Sequence, residues 1–197
     1  KFTPDGDYIV IDGGKTFITN GDVADYLLLF GKWSEIDDPK QSISVLVVET
    51  KASPVETVGT ENKMGHRASS TATLAFDGVR VPRRNLIHNP GDGLKLLLAS
   101  LNKSRPSVAA HALGIARAAF DEAVSYINER QQSGRKIIEF QGIQFLLADL
   151  ATELAMCEAF LNHVAGLIDG GAPDFSTEAS MAKMRASDLA MRMTTEA

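Results

Sequence analysis

Gly14-Lys15-Thr16 is where a phosphate-binding loop could end in this sequence of 197 residues. The earlier glycine such a loop requires falls at Ile9, and the residues after Thr16 read as a strand rather than a helix with its N-terminus offered to a phosphate. The reading fails on both counts. His66, His88, His111 and His163 are far apart in sequence, and none has a second ligand four residues away on a helical face. Metal chemistry is therefore unsupported, and packing or surface roles fit each of them. No serine sits in a nucleophile elbow, and Cys157 lies among apolar residues with no motif around it. Covalent hydrolysis finds no support either. Glu122, Glu129, Asp149 and Glu153 are spaced as solvated helix faces.

The elements that must position any site change character near residue 90. Before it, short β-rich runs alternate with Gly and Pro punctuation, and after it come long Ala- and Leu-rich stretches of helical period. Asp7–Ile11 and Lys15–Asn20 are expected to form a hairpin about Asp12-Gly13-Gly14. Further strands are expected at Tyr26–Lys32, Ile43–Glu49 and Thr71–Val81, with Asp37–Lys40 and Glu61–Ser70 as polar connections. Strands so spaced, with no helix between them, predict a small antiparallel β-barrel or sandwich. A helix over Asp92–Arg130 is expected to share one face among Leu94, Leu97, Leu101, Val108, Phe120, Val124 and Ile127, with Pro106 kinking or dividing it. A second helix runs from about Ile138 to Ile168 and stops at Gly170-Gly171-Ala172-Pro173. A third starts near a capping box at Ser176-Thr177-Glu178-Ala179. The fold class is therefore α+β in two domains, 1–90 and 91–197, the second an antiparallel helical bundle.

Net charge is −5, with 44% hydrophobic and 23% charged residues, an ordinary globular composition. Lys and Arg are scattered, so no basic stripe offers itself to nucleic acid. No apolar run approaches the ~18 residues of a membrane helix, and a single unpaired cysteine fits a reducing compartment, cytoplasmic or, in a eukaryote, the mitochondrial matrix. The first residue is not Met and the last ones continue a helical pattern without a stop signal, so both ends read as cut. The apolar faces of these helices need cover from association or from further chain.

Lys15-Thr16-Phe17-Ile18-Thr19-Asn20-Gly21 resembles the K-x-W-I-T-N-G strand of the acyl-CoA dehydrogenase family. Lys63–Thr71 resembles its K-M-G-x-R-x-S-x-T segment, and Phe76–Pro82 its F-(E/D)-x-V-x-V-P strand end. Gly91-Asp92-Gly93 begins what looks like the family's long kinked helix. Asn102-Lys103-Ser104-Arg105-Pro106 occupies its acyl-CoA segment, Asn128-Glu129-Arg130 with Gln141 its flavin-nucleotide segment, and Glu178–Lys183 its following helix. The similarity runs in order along nearly the whole chain.

The resemblance implies an FAD-dependent acyl-CoA dehydrogenase of fatty acid β-oxidation. A glutamate removes the α-proton, flavin takes the β-hydride, and a trans-2-enoyl-CoA leaves. It further implies an electron-transfer flavoprotein as electron acceptor and a homo-oligomer, dimer or tetramer. Thr19 would hydrogen-bond near the hydride-accepting nitrogen, with Phe17 and Ile18 beside the ring. Arg130 and Gln141 would reach the FAD of a neighbouring subunit, the guanidinium fork matching diphosphate oxygens. Asn102, Lys103, Ser104 and Arg105 would contact the CoA and thioester region. Three positions depart from the family pattern: Asn102 replaces Asp, Ser133 replaces the aromatic before Gly134, and Ser104 stands where some members carry their catalytic glutamate. The resemblance then places the base in a segment beyond Ala197. Acyl-CoA oxidase or nitroalkane-oxidase chemistry on the same scaffold is the alternative, and a non-catalytic helical assembly module is a third reading.

Overall fold

The computed structural model describes all residues, 1–197. Asp5-Gly6-Asp7 reverses the chain between β1 (Phe2–Asp5) and β2 (Tyr8–Thr19), with Gly6 left-handed at φ 58°. The turn expected at Asp12-Gly13-Gly14 does not form. Instead β2 continues through it, and Gly13 and Gly14 pair with Phe76 and Ala75 of β6 (Thr71–Pro82). The mismatch there is taken up as a bulge rather than a reversal. Gly78, at φ 59°, lies in the extra length of β6 and donates its N–H to the Asp12 carboxylate at 2.8 Å. As a result the buried side chains of β6 change parity, from Ala72, Leu74 and Phe76 to Val79 and Val81.

Two sheets result, and no closed barrel. The first has the order β1-β2-β6-β5, where β5 is Glu56–Thr60. The second has the order β3-β4-β7, from Tyr26–Lys32, Ile43–Glu49 and Leu86–Ile87. Both sheets contribute to one core that includes Phe2, Ile9, Ile11, Leu46, Leu74 and Val81. Gly31 is required by that core, since a Cβ there would lie 2.6 Å from the Phe2 ring.

Helix α1 (Gly93–Glu129) accommodates Pro106 without dividing. Its buried stripe is Ala109, Leu113 and Ala116. Leu101 and Val108, expected on that face, are 38% and 49% exposed, because the small alanines allow the closest approach of neighbouring helices. A short hairpin, β8 (Gln131–Gln132) and β9 (Arg135–Lys136), leads to α2 (Gln141–Asp169). Gly171, at φ 70°, follows the end of α2, and the Ala172 N–H returns to the Leu167 carbonyl at 2.9 Å. Helix α3 (Ser176–Glu196) buries Ala179, Ala182, Ala186, Leu189 and Met193, spaced three and four residues apart.

The capping box expected at Ser176 is absent. Phe175 is the N-cap residue, and the Asp174 carboxylate accepts the Ser176 N–H at 2.9 Å instead. That bond holds the Asp174 carboxyl below its usual range. Exposed ion pairs tie the helices together: Arg117 to Glu158 from α1 to α2, and Arg185 and Arg192 to Glu153 from α3 to α2. Water screens such pairs, so they add little to stability beside the buried stripes. Lys1–Leu98 and Ala99–Ala197 are separate compact units.

Candidate functional site

In the first unit the end of β2 carries the unusual backbone. Register slips between the pairs Lys15↔Leu74 and Ile18↔Ala72, leaving one extra residue on β2. Phe17 absorbs it at φ 57° with its ring 73% exposed. A left-handed aromatic is a costly conformation, of order 1–3 kcal/mol, and such outliers concentrate at functional positions. Thr19, exposed, forms the last rung of the ladder with buried Thr71. Asn20, also left-handed at φ 56°, then turns the chain.

The loop before β6 is fastened to this turn. The Asn20 N–H donates to the Ser70 carbonyl at 2.9 Å, and the Ser69 hydroxyl to Asn20 Oδ1 at 3.2 Å. Ser70 donates its hydroxyl to the Asp22 carboxylate at 2.5 Å. Lys63 Nζ reaches the Ser69 carbonyl at 2.5 Å, and Arg67 Nε the Lys63 carbonyl at 2.9 Å. Two segments some fifty residues apart thus become one surface. Beside it, Lys15, Ile18, Thr19, Tyr26 and Leu28 line a cavity of about 320 Å³.

In the second unit Asn102, Lys103, Ser104 and Arg105 occupy one turn of α1. Arg105 donates to Asn102 Oδ1 at 2.8 Å, so the amide holds the guanidinium without a counter-charge. The Ser104 hydroxyl donates to the Leu101 carbonyl at 3.1 Å and is exposed. Pro106 has no N–H, which leaves the Asn102 backbone carbonyl without its helical donor. Polar groups therefore cluster at this turn.

Arg130 lies at the far end of α1, 25 residues from Arg105. At 1.5 Å rise per residue that is roughly 37 Å. Sequence reading placed Arg130 and Gln141 in one segment, and the β8–β9 hairpin brings both to the same end of the helices. The Ile137 N–H donates to the Arg130 carbonyl at 2.9 Å, and Gln141 is the first residue of α2. Ser133 and Gly134 form the tip at φ 54° and 77°, the left-handed pair that a two-residue type I′ turn requires. Neither Arg130 nor Gln141 is buried. Sequence reading overlooked Arg135, whose guanidinium lies 4.0 Å from the centre of the Phe140 ring. The signal was the spacing across a two-residue turn, which fixes which side chains share a face.

Cys157 faces an apolar cavity of about 450 Å³ with Met156, Phe160, Ala182 and Arg185. Burial raises its thiol pKa, only partly opposed by Arg185. It remains protonated at neutral pH and is a poor nucleophile.

Residues 2–79 match the family described as acyl-CoA dehydrogenase, middle domain, and residues 91–197 that described as acyl-CoA dehydrogenase, C-terminal domain. The chain is 39% identical over 187 residues to the mitochondrial short/branched chain specific acyl-CoA dehydrogenase of Rattus norvegicus, covering 94% of this chain and 42% of that protein. It is 42% identical over 193 residues to an acyl-CoA dehydrogenase of Bacillus subtilis, covering 98% and 50%. Among solved structures, butyryl-CoA dehydrogenase from Megasphaera elsdenii superimposes with a TM-score of 0.93 at 36% identity, covering 99% of this chain and 51% of the other. The chain thus spans about half the length of the relatives it matches. With both family domains matched in order, and a fold that superimposes along its whole length, the chain belongs to the acyl-CoA dehydrogenase family.

Proposed function

We propose that the protein carrying this chain is an FAD-dependent acyl-CoA dehydrogenase that converts a fatty acyl-CoA to the trans-2-enoyl-CoA. The observation that carries the reading is the end of β2, where a left-handed, exposed Phe17 and an exposed Thr19 hydroxyl are held in place by the loop 63–71. The side chains fit an isoalloxazine dinucleotide: an aromatic face and Ile18 for the ring system, a hydroxyl for a ring nitrogen, and elsewhere a guanidinium and an amide for the nucleotide end. Bound FAD supplies the hydride acceptor.

Thr19 can donate or accept a hydrogen bond, so it can follow a change in protonation at the atom it faces. Phe17 and Ile18 exclude water from one side of that position. Asn102, Lys103, Ser104 and Arg105 bind and orient the CoA thioester. Lys103 and the Arg105–Asn102 pair supply cationic donors, and the Asn102 carbonyl, which Pro106 deprives of its usual helical donor, accepts an amide N–H. Ser104 donates its hydroxyl to the Leu101 carbonyl, which speaks against it as the base, and the family resemblance supports assigning α-proton removal to a carboxylate outside residues 1–197. The ~37 Å between Arg105 and Arg130 favours a homo-oligomer in which Arg130 and Gln141 serve another copy's FAD. An electron-transfer flavoprotein is the proposed acceptor.

The test is to produce the complete polypeptide with ample riboflavin and add straight-chain acyl-CoA thioesters without oxygen. Yellow protein that bleaches on addition is expected. A colourless protein indifferent to thioesters would end the proposal. Oxidase chemistry is the second reading, favoured by similarity to nitroalkane oxidase at 25% identity and a TM-score of 0.91. Rapid peroxide release with acyl-CoA in air would select it.

A further inference from the structure

We propose that Arg135 is a further binding residue for the diphosphate of FAD, paired with Arg130 on one face of the β8–β9 hairpin. The proposal rests on the reading that this end of the helical unit binds the flavin nucleotide.

The register makes the case. Gln132 pairs with Arg135 and Gln131 with Lys136, and the bond from the Ile137 N–H to the Arg130 carbonyl adds one more rung. Residues opposite one another in an antiparallel ribbon share a face, and so do residues two apart along a strand. Arg130, Gln132 and Arg135 therefore lie on one side of the ribbon, and Gln131 and Lys136 on the other. Arg130 and Arg135 are diagonal neighbours, a relation that sets their positions roughly 7–8 Å apart. Two long guanidinium side chains at that spacing can converge on adjacent phosphates, which a single cation cannot bracket.

Charge and preorganisation point the same way. No carboxylate lies within ion-pairing distance of Arg130, Arg135 or Lys136. Three cations without a counter-ion sit beside the start of α2, whose first turn holds no acidic residue and whose N-cap, Phe140, gives no side-chain bond. The Arg135 guanidinium carbon lies over the Phe140 ring, 4.0 Å from its centre. The contact costs the side chain rotamer freedom before any ligand arrives, and its N–H groups make no hydrogen bond or ion pair within the chain. It also sets a planar cation next to the turn whose tip residue, Ser133, is small and polar. Lys would place a charge there but neither a plane nor a fork.

The experiment titrates FAD into apoprotein of the complete polypeptide and follows flavin fluorescence for Arg135→Gln, Arg135→Lys and Arg130→Gln, with melting of each apoprotein as a check on folding. Arg135→Gln should weaken FAD binding about tenfold, as expected for one charge-assisted contact, and should flatten its salt dependence. Arg135→Lys should fall between wild type and Arg135→Gln, and it keeps the question open to measurement if the glutamine variant fails to fold. If Arg130→Gln weakens binding and both Arg135 variants stay within twofold of wild type, the role given to Arg135 is wrong while the nucleotide site stands. If no variant changes FAD affinity, the nucleotide site itself is misplaced.

Discussion

Phe17, Thr19 and their neighbours acquire their interest from backbone rather than from residue type. An exposed aromatic at φ 57° persists only if its surroundings over-determine it. The surroundings are the bonds from Ser69 to Asn20 and from Ser70 to Asp22. Asp22→Ala should leave the strands intact but loosen the loop 61–70, seen as faster proteolysis within it and faster exchange of the Asn20 amide. Unchanged exchange would show that the backbone bond from Asn20 to Ser70 suffices. Cys157 offers a test of the opposite kind. Burial pushes its thiol pKa up, so iodoacetamide should label it more slowly than free cysteine at pH 7, and the rate should keep climbing with pH beyond the point where that of free cysteine levels off. Asp174 carries a pH signature. Its folded pKa lies below the ordinary 3.8, so its stabilisation of α3 is complete above that value and is lost as pH falls through the lower, folded one. Asp174→Ala should therefore lower the melting temperature at neutral pH, and the difference should shrink as pH falls through the depressed carboxyl pKa.

At the scale of elements, legibility in the sequence followed periodicity. The strand Ile43–Glu49 and the three helices were readable because alternation and the 3.6-residue period persist over their lengths. Gly13-Gly14 misled because a pair of glycines signals a turn and a bulge equally, and only the partner strand decides. The true turn was written as Asp5-Gly6-Asp7, and β5 escaped because all five of its residues are exposed and give no alternation. The apolar face expected for α1 held in part, with Phe120 packed on the core but Leu101 and Val108 exposed, because alanines, which pack most closely, weigh little in a hydrophobic pattern. The site motifs were visible only through family resemblance, since composition cannot tell a strained Phe17 from a core one. Gly31 tests the strand packing. Gly31→Ala sets a methyl 2.6 Å from the Phe2 ring and should cost about 1–3 kcal/mol by chemical denaturation.

For the molecule as a whole, each unit has its own core, and the helical unit leaves Phe145, Met156 and Met191 more than 60% exposed. Side chains of that size on one unit favour association. The 197-residue chain is expected to sediment with a concentration-dependent coefficient, and ideal monomeric behaviour at every concentration would contradict this. Helix α1 bears on the same question, because it begins within the first compact unit and ends within the second. Its ladder lacks one rung, where Pro106 meets Asn102. A long rod with a missing rung does not open as one cooperative piece. Deuterium uptake along α1 should divide into two protection classes, before and after residue 106, so that the turn Asn102–Arg105 breathes without unwinding the end that carries Arg130.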